Sequence, residues 1–136
     1  TVFGGDQKRP NIHIDDINDL YMQLLELPAD LIAGETFNAG YENFTINEIA
    51  SLVKATVEQE FPELAPITIE RTESNDPRSY HVNSDKIRRV INFHPSRTIE
   101  DAVRDVCAAF KSGEFPDSLD NACYFNIQLM KEISLR

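Results

Sequence analysis

Apolar residues recur at helical spacing in several stretches of the chain, and capping residues mark where these helices should begin. Asp15 or Asp16 is expected to cap the first helix, which should run to about Leu27 because Pro28 cannot continue it. The core-facing side of this helix is predicted from apolar residues spaced three and four apart. These residues are Ile17, Leu20, Tyr21, Leu24 and Leu25.

The later helices are predicted in the same way. Residues 45–48 read Thr-Ile-Asn-Glu, a capping box that should open a helix ending before Pro62. Ser84 should cap a short helix, and Thr98 should cap a longer one that Gly113 closes. The second helix carries apolar positions at Ile46, Ile49, Ala50, Val53 and Val57. A last helix is indicated by Leu119, Cys123, Ile127 and Met130.

Short extended segments alternate with these helices. They are predicted at residues 1–3, 10–14, 35–38, 67–69 and 80–82. The alternation predicts an α/β fold, or α+β for this chain in isolation, with about five helices and few strands. A chain of 136 residues has room for one hydrophobic core.

Composition narrows the class of protein. A net charge of −10 argues against nucleic-acid binding and against an anionic membrane surface. The sequence shows no apolar run of membrane-spanning length and no signal peptide, so we expect a cytoplasmic location. Cys107 and Cys123 lie on apolar stripes and are expected to be reduced core thiols, with a disulfide as the alternative. The start at Thr1, without an initiator Met, favours a truncated piece of a longer protein.

Several short motifs follow one another along the chain. They are Arg-x-x-Ile-His-Ile-x-Asp at residues 9–16, Phe-Asn-Ala-Gly at 37–40, Asn-Phe-Thr-Ile-Asn-Glu-Ile at 43–49, Asp-Pro-Arg-Ser-Tyr at 76–80, and Ser-Asp-Lys-Ile at 84–87 with Phe-His-Pro at 93–95. In this order they resemble the latter half of the extended short-chain dehydrogenases/reductases. This is the NAD-dependent epimerase/dehydratase family, which acts on nucleotide sugars.

The resemblance implies that cofactor binding and substrate binding are divided between a missing N-terminal Rossmann half and this chain. Residues 1–40 would complete the nucleotide-binding half of the parent enzyme, and residues 41–136 would form its substrate-binding lobe. The parent would bind NAD or NADP and would act as an epimerase or dehydratase on a nucleotide sugar. A non-catalytic acidic α/β module that binds a protein partner is the alternative.

The resemblance also assigns binding residues. It implies that Arg9 and Arg78 contact the nucleotide diphosphate, with Arg71 and Asp76 as further substrate-binding candidates. A guanidinium fork suits phosphate oxygens and stays charged at any relevant pH. The alternative is that Arg9 and Arg78 are surface residues that pair with neighbours such as Asp6 or Asp76.

Two sequence features of the family's catalytic half are absent here. There is no Gly-x-Gly-x-x-Gly, since Gly4 and Gly5 stand alone, and none of the four tyrosines has a lysine four residues later. The fragment is therefore expected to be inactive, with no cofactor, no catalytic residue and no metal. The three histidines lack metal-ligand spacing, and His13, between two isoleucines, is expected to be a packed structural residue. Truncation should expose apolar surface, so self-association of the fragment is expected.

Overall fold

The computed structural model describes residues 1–74 and 78–133. Within that part of the chain, six α-helices and four short strands confirm the predicted mixture of helices and few strands. The additional helix, α2, is a single short turn that the sequence pattern had not indicated. The elements are β1 Val2–Phe3, β2 Lys8–Asn11, α1 Ile14–Glu26, α2 Ala29–Ile32, β3 Glu42–Thr45, α3 Ile46–Glu60, β4 Arg71–Thr72, α4 Asp85–Ile91, α5 Ile99–Lys111 and α6 Asn126–Glu132, with 3-10 turns at Pro62–Leu64 and Ala122–Tyr124.

The chain divides into two compact units, residues 1–104 and the part from residue 105 onward. The first unit holds two small sheets of two strands each. In one sheet β1 runs parallel to β4, with Val2 opposite Arg71. In the other, β2 runs antiparallel to β3, with Arg9 opposite Phe44.

The core of the first unit lies between α1 and α4. Leu20, Ile87, Ile91 and Phe93 are each no more than 6% exposed and pack together. Partly buried apolar residues surround them, and these are Ile12, Leu24, Leu27, Ile32, Phe37, Ala39 and Val90. The predicted inner face of α1 is thus confirmed for Leu20 and Leu24. It is wrong for Tyr21 and Leu25, which are 63% and 81% exposed.

The first helix begins earlier than expected, and its N-cap is a histidine. Nδ1 of His13 accepts a hydrogen bond of 3.1 Å from the amide of Asp15. His13 is 5% exposed, so its role as a packed residue that satisfies the main chain is confirmed. Asp15 and Asp16 are not the cap. They lie in the first turn, where a carboxylate interacts favourably with the helix dipole.

Two capping boxes fix the starts of longer helices. At α3, the amide of Glu48 donates to the Thr45 hydroxyl at 3.2 Å, and the amide of Thr45 donates to the Glu48 carboxylate at 2.7 Å, as predicted. At α5, Thr98 and Asp101 make the same reciprocal pair, at 3.2 and 2.9 Å. The main-chain amide of the threonine, followed by its hydroxyl, lowers the pKa of each of these two carboxyls.

The start of α4 is capped differently from the prediction. The Ser84 hydroxyl makes no capping bond, and Asn83 Oδ1 accepts from the amide of Asp85 at 2.8 Å. Ser84 instead lies against Gly40. A Cβ atom added at Gly40 would come within 3.4 Å of the Ser84 hydroxyl oxygen. Asn92 ends the helix in the left-handed conformation, with φ of 56°.

The strand predicted at residues 67–69 does not form, because side chains satisfy its main chain. The Glu58 carboxylate accepts from the amide of Ile67 at 2.6 Å, and Lys54 Nζ donates to the carbonyl of Ile67 at 2.6 Å. The strand β4 begins only at Arg71. The amide and the carbonyl of Ile67 are both hydrogen-bonded to side chains, so they are satisfied without a neighbouring strand.

Two other predicted extended segments also stay outside the sheets. Val82 exchanges two hydrogen bonds with the side-chain amide of Asn43, at 2.8 and 3.0 Å, so one side chain replaces a strand neighbour. Residues 35–38 form no strand; the carbonyl of Thr36 accepts from Lys86 Nζ at 2.9 Å. The prediction at 35–38 is therefore wrong.

The second unit contains a small aromatic cluster. Phe115 lies 5.0 Å from Phe110 and 6.0 Å from Tyr124 between ring centroids. The last predicted helix is split into a 3-10 turn and α6, and Leu119 lies outside both. Cys107 is buried and Cys123 is exposed, and both are free, so the core position expected for Cys123 is wrong. None of the helices in the described residues is long and apolar enough to cross a bilayer.

Candidate functional site

A three-residue segment, Arg78 to Tyr80, lies along β2; we call it the strap. The amide of Lys8 donates to the Ser79 hydroxyl at 2.9 Å. The amide of Tyr80 donates to the carbonyl of Lys8 at 3.0 Å. Both main-chain polar groups of Lys8 are thus bonded to the strap, which fixes residues distant in sequence against the strand that carries Arg9.

Arg9 makes the third connection between β2 and the strap. Its Nη1 donates to the carbonyl of Arg78 at 2.6 Å and to that of Lys8 at 3.0 Å. The side chain is half-buried. The structure therefore places the Arg9 guanidinium against the main chain of Arg78, and the contact of both residues with a diphosphate stays a prediction.

Tyr80 completes the surroundings of Arg9. The guanidinium carbon of Arg9 lies 5.4 Å from the centroid of the Tyr80 ring. A cation within about 6 Å of an aromatic face is attracted by the ring quadrupole. Tyr80 itself is 46% exposed, so its ring is not part of the core. Tyr80 and Ser79 were not among the predicted binding residues, although both belong to the Asp-Pro-Arg-Ser-Tyr motif.

The other two predicted binding residues are Arg71 and Asp76. Arg71 lies in β4, opposite Val2, in the sheet that does not contain Arg9. It is exposed. Asp76 falls outside the described residues. The grouping that the structure supports is therefore Arg9 with Arg78, and Tyr80 is its additional member.

A cavity of about 600 Å³ opens beside Arg9. Its walls are mostly aliphatic and include the apolar face of α3, which the sequence had placed at helical spacing. The lining residues are Thr1, Val2, Phe3, Gln7, Arg9, Ile46, Ile49, Ala50, Val53, Lys54, Val57, Ile67, Thr68, Ile69 and Ser74. The space suits a ligand with an apolar or aromatic part whose anionic part reaches Arg9.

Lys54 is the second cation on this cavity, and it has a structural role. Its ammonium forms an ion pair with Glu58 one turn along α3, and it also binds the carbonyl of Ile67. The hydrogen bond from Lys54, then that from the amide of Ile67, lowers the pKa of Glu58. The pair holds residues 67–69 over α3 and so shapes the cavity wall. The i, i+4 spacing of Lys54 and Glu58 was readable in the sequence.

The carboxylate of Asp16, predicted only as a possible helix cap, is a buried hydrogen-bond acceptor in the first unit. Asp16 is 2% exposed. It accepts from the amides of Ser96 and Arg97 at 3.2 and 3.0 Å and from Arg97 Nη1 at 2.7 Å. Arg97 also binds Asp19 at 2.7 Å. The hydrogen bonds to Asp19 and then Asp16 raise the pKa of Arg97.

Gly4 and Gly5 lie between β1 and β2, close to Asn47 in the first turn of α3. Gly4 and Gly5, with φ of 75° and 147°, are followed by β2 and not by a helix. A side chain on Gly5 would meet the Asn47 amide at 2.4 Å. A dinucleotide fingerprint needs a glycine-rich turn that leads from a strand into a helix N-terminus. The glycines instead allow the chain to pass close to the start of α3.

Comparisons with known proteins define the fold. No family model matches the sequence, and no curated protein matches it. Solved structures do share the fold. UDP-glucuronic acid 4-epimerase from Bacillus cereus, in complex with UDP-glucuronic acid and NAD, superposes with a TM-score of 0.62 at 20% identity. L-threonine dehydrogenase from Phytophthora infestans gives 0.60 at 18%. RMD from Pseudomonas aeruginosa, complexed with NADPH, gives 0.64 at 17%.

Each superposition covers 82% of this chain, and 34%, 36% and 35% of the respective structure. The chain thus spans about a third of the length of these enzymes. The resemblance to the extended short-chain dehydrogenases/reductases, predicted from the motifs, is confirmed at the level of a shared fold. At 17–20% identity these likenesses establish the fold of this chain and not its substrate.

Proposed function

We propose that this chain is the C-terminal, substrate-binding part of an NAD(P)-dependent nucleotide-sugar epimerase or dehydratase, and that it clamps the nucleotide diphosphate of the substrate. The observation that carries the proposal is the hydrogen bond from the Arg9 guanidinium to the main-chain carbonyl of Arg78, which joins two arginine-bearing segments on a chain of net charge −10. Guanidinium groups bind phosphate oxygens with charge-assisted hydrogen bonds. The adjacent cavity offers a less polar space for the base.

The proposal divides the work of the parent enzyme between two parts. This chain supplies the arginines and the walls of the substrate pocket. The nicotinamide cofactor, NAD or NADP, supplies the hydride chemistry in the parent and would be held by the N-terminal part. Residues 1–40 would complete that nucleotide-binding half, and residues 41–136 would form the substrate lobe. By itself the chain is proposed to be catalytically inactive.

Calorimetric titration of the 136-residue chain with UDP, uridine and NAD provides the test. UDP should bind more tightly than uridine, because only UDP presents the diphosphate to Arg9 and Arg78. NAD should give no saturable micromolar signal. Equal affinities for UDP and uridine, or no binding of UDP, would contradict the clamp and favour an acidic protein-interaction module instead.

The exposed apolar side chains of α1 support a further part of the proposal. Ile14, Tyr21 and Leu25 follow one stripe of this helix and are 63–81% exposed. Residues spaced seven and four apart lie on the same side of a helix. We propose that this stripe packs against the N-terminal part in the parent and causes self-association of the isolated chain.

A further inference from the structure

The ring of Tyr80 lies next to the Arg9 guanidinium and outside the apolar core. The ring is 46% exposed and does not belong to the cluster of Leu20, Ile87, Ile91 and Phe93. Its main chain is nevertheless fixed, because its amide donates to the carbonyl of Lys8 at 3.0 Å. The ring is therefore held in place next to the strand that carries Arg9, without contributing to the main apolar core.

The guanidinium of Arg9 is constrained from two directions. Its Nη1 is bonded to two main-chain carbonyls, those of Arg78 and Lys8, at 2.6 and 3.0 Å. The Tyr80 ring lies 5.4 Å from the guanidinium carbon. The carbonyls fix the end of the side chain, and the ring attracts the cation toward its face. A planar fork that is held in this way loses less rotamer entropy when it binds an oxyanion.

We propose that Tyr80 is a positioning residue for the diphosphate clamp: its ring holds the Arg9 guanidinium ready for the phosphate oxygens of the substrate. The inference rests on the proposed function and adds to it a residue that acts through Arg9. The required property is the aromatic face and not the phenol hydroxyl. Phenylalanine should therefore replace tyrosine at this position, and an aliphatic residue should not.

The test compares three forms of the 136-residue chain: wild type, Tyr80→Phe and Tyr80→Leu. UDP and uridine are titrated into each. Tyr80→Leu should weaken UDP binding by about two- to fivefold, the loss of one exposed cation–π contact. Uridine binding should be unchanged by the same substitution, since uridine has no diphosphate. Tyr80→Phe should bind UDP with the same affinity as the wild type.

A second measurement reports on the contact without any ligand. The Hε proton of Arg9 should show a ring-current shift in the NMR spectra of the wild type and of Tyr80→Phe, and should lose it in Tyr80→Leu. Urea denaturation checks that all three forms are folded.

The outcomes separate the two proposals. If the wild type prefers UDP over uridine and Tyr80→Leu keeps that preference in full, the positioning role is overturned and the clamp stands. If Tyr80→Leu weakens uridine as much as UDP, the ring has a merely structural role. If the wild type itself shows no preference for UDP, the clamp fails, and the role of Tyr80 fails with it.

Discussion

The Arg9 guanidinium is held by the main chain of Arg78, 69 positions further along the sequence. The Arg9 guanidinium donates to the Arg78 carbonyl at 2.6 Å. Any residue at position 78 can supply that carbonyl. A substitution at position 78 therefore removes one guanidinium while leaving the hydrogen bond that holds the other, which allows the two arginines to be tested separately.

Substituting Arg78 by alanine should weaken substrate binding in the full-length parent. A charge-assisted hydrogen bond contributes about 1.5–3 kcal/mol, so the affinity for the nucleotide sugar should fall about tenfold or more. Affinity for the nicotinamide cofactor should be unchanged. Binding is measured by calorimetry, with Arg89→Ala, an exposed arginine on α4, as the control. An unchanged dissociation constant for the nucleotide sugar would remove Arg78 from the site.

Substituting Asp16 by alanine should destabilise the fold. The carboxylate is buried and accepts from the main-chain amides of Ser96 and Arg97 as well as from the Arg97 guanidinium, and its loss removes the acceptor of both amides. The expected cost is on the order of 2–3 kcal/mol in the free energy of unfolding. Asp19→Ala is the matched control, because Asp19 binds the same guanidinium but its side chain is 62% exposed. Similar urea midpoints for the two variants would contradict this role of Asp16.

Stability should fall in acid through the capping carboxylates. The pKa of Glu48 lies below its ordinary value of 4.5 in the folded chain. A carboxyl with a depressed folded pKa stabilises the fold above its unfolded pKa, and this contribution disappears as the pH falls through the folded value. Wild type should therefore exceed Glu48→Gln in urea midpoint near pH 7, and the gap should close between about pH 4.5 and the lower folded pKa. Glu63→Gln, at an exposed carboxylate, controls for net charge. A gap that stays constant with pH would refute the prediction.

The two cysteines should differ in reactivity. Cys107 is buried and Cys123 is exposed. Iodoacetamide should alkylate Cys123 in the native chain, and Cys107 only after denaturant is added, because alkylation requires access to the thiolate. Peptide mass spectrometry resolves the two sites. Equal rates of modification in the native chain would contradict the burial of Cys107.

The isolated chain should self-associate through α1. Leu25→Glu places a charge on the exposed stripe and should lower the average mass measured by light scattering at high micromolar concentration. Gln59→Glu adds the same charge at an exposed position of α3 and serves as the control. A wild type that is strictly monomeric at that concentration would contradict the proposal.

Local patterns fixed those parts of the fold whose energetics are local. The capping box of Thr45 and Glu48 uses residues three apart, and its hydrogen bonds depend on no other part of the chain. The same holds for Thr98 at α5 and for the end of α1 before Pro28. The periodicity of α3 likewise marked the side chains that line the cavity, since helical spacing alone decides which residues share a face.

Tertiary contacts decided the rest. The predicted strand at residues 67–69 was replaced by irregular chain because Glu58 and Lys54 satisfy the main chain of Ile67. Nothing in the local sequence distinguishes an amide paired with a strand from one paired with a side chain. For the same reason Tyr80 was missed: its aromatic face gains a partner only when the strap lies on β2, next to Arg9. Residue type and order made Arg9 and Arg78 candidates, and only long-range hydrogen bonds brought them together.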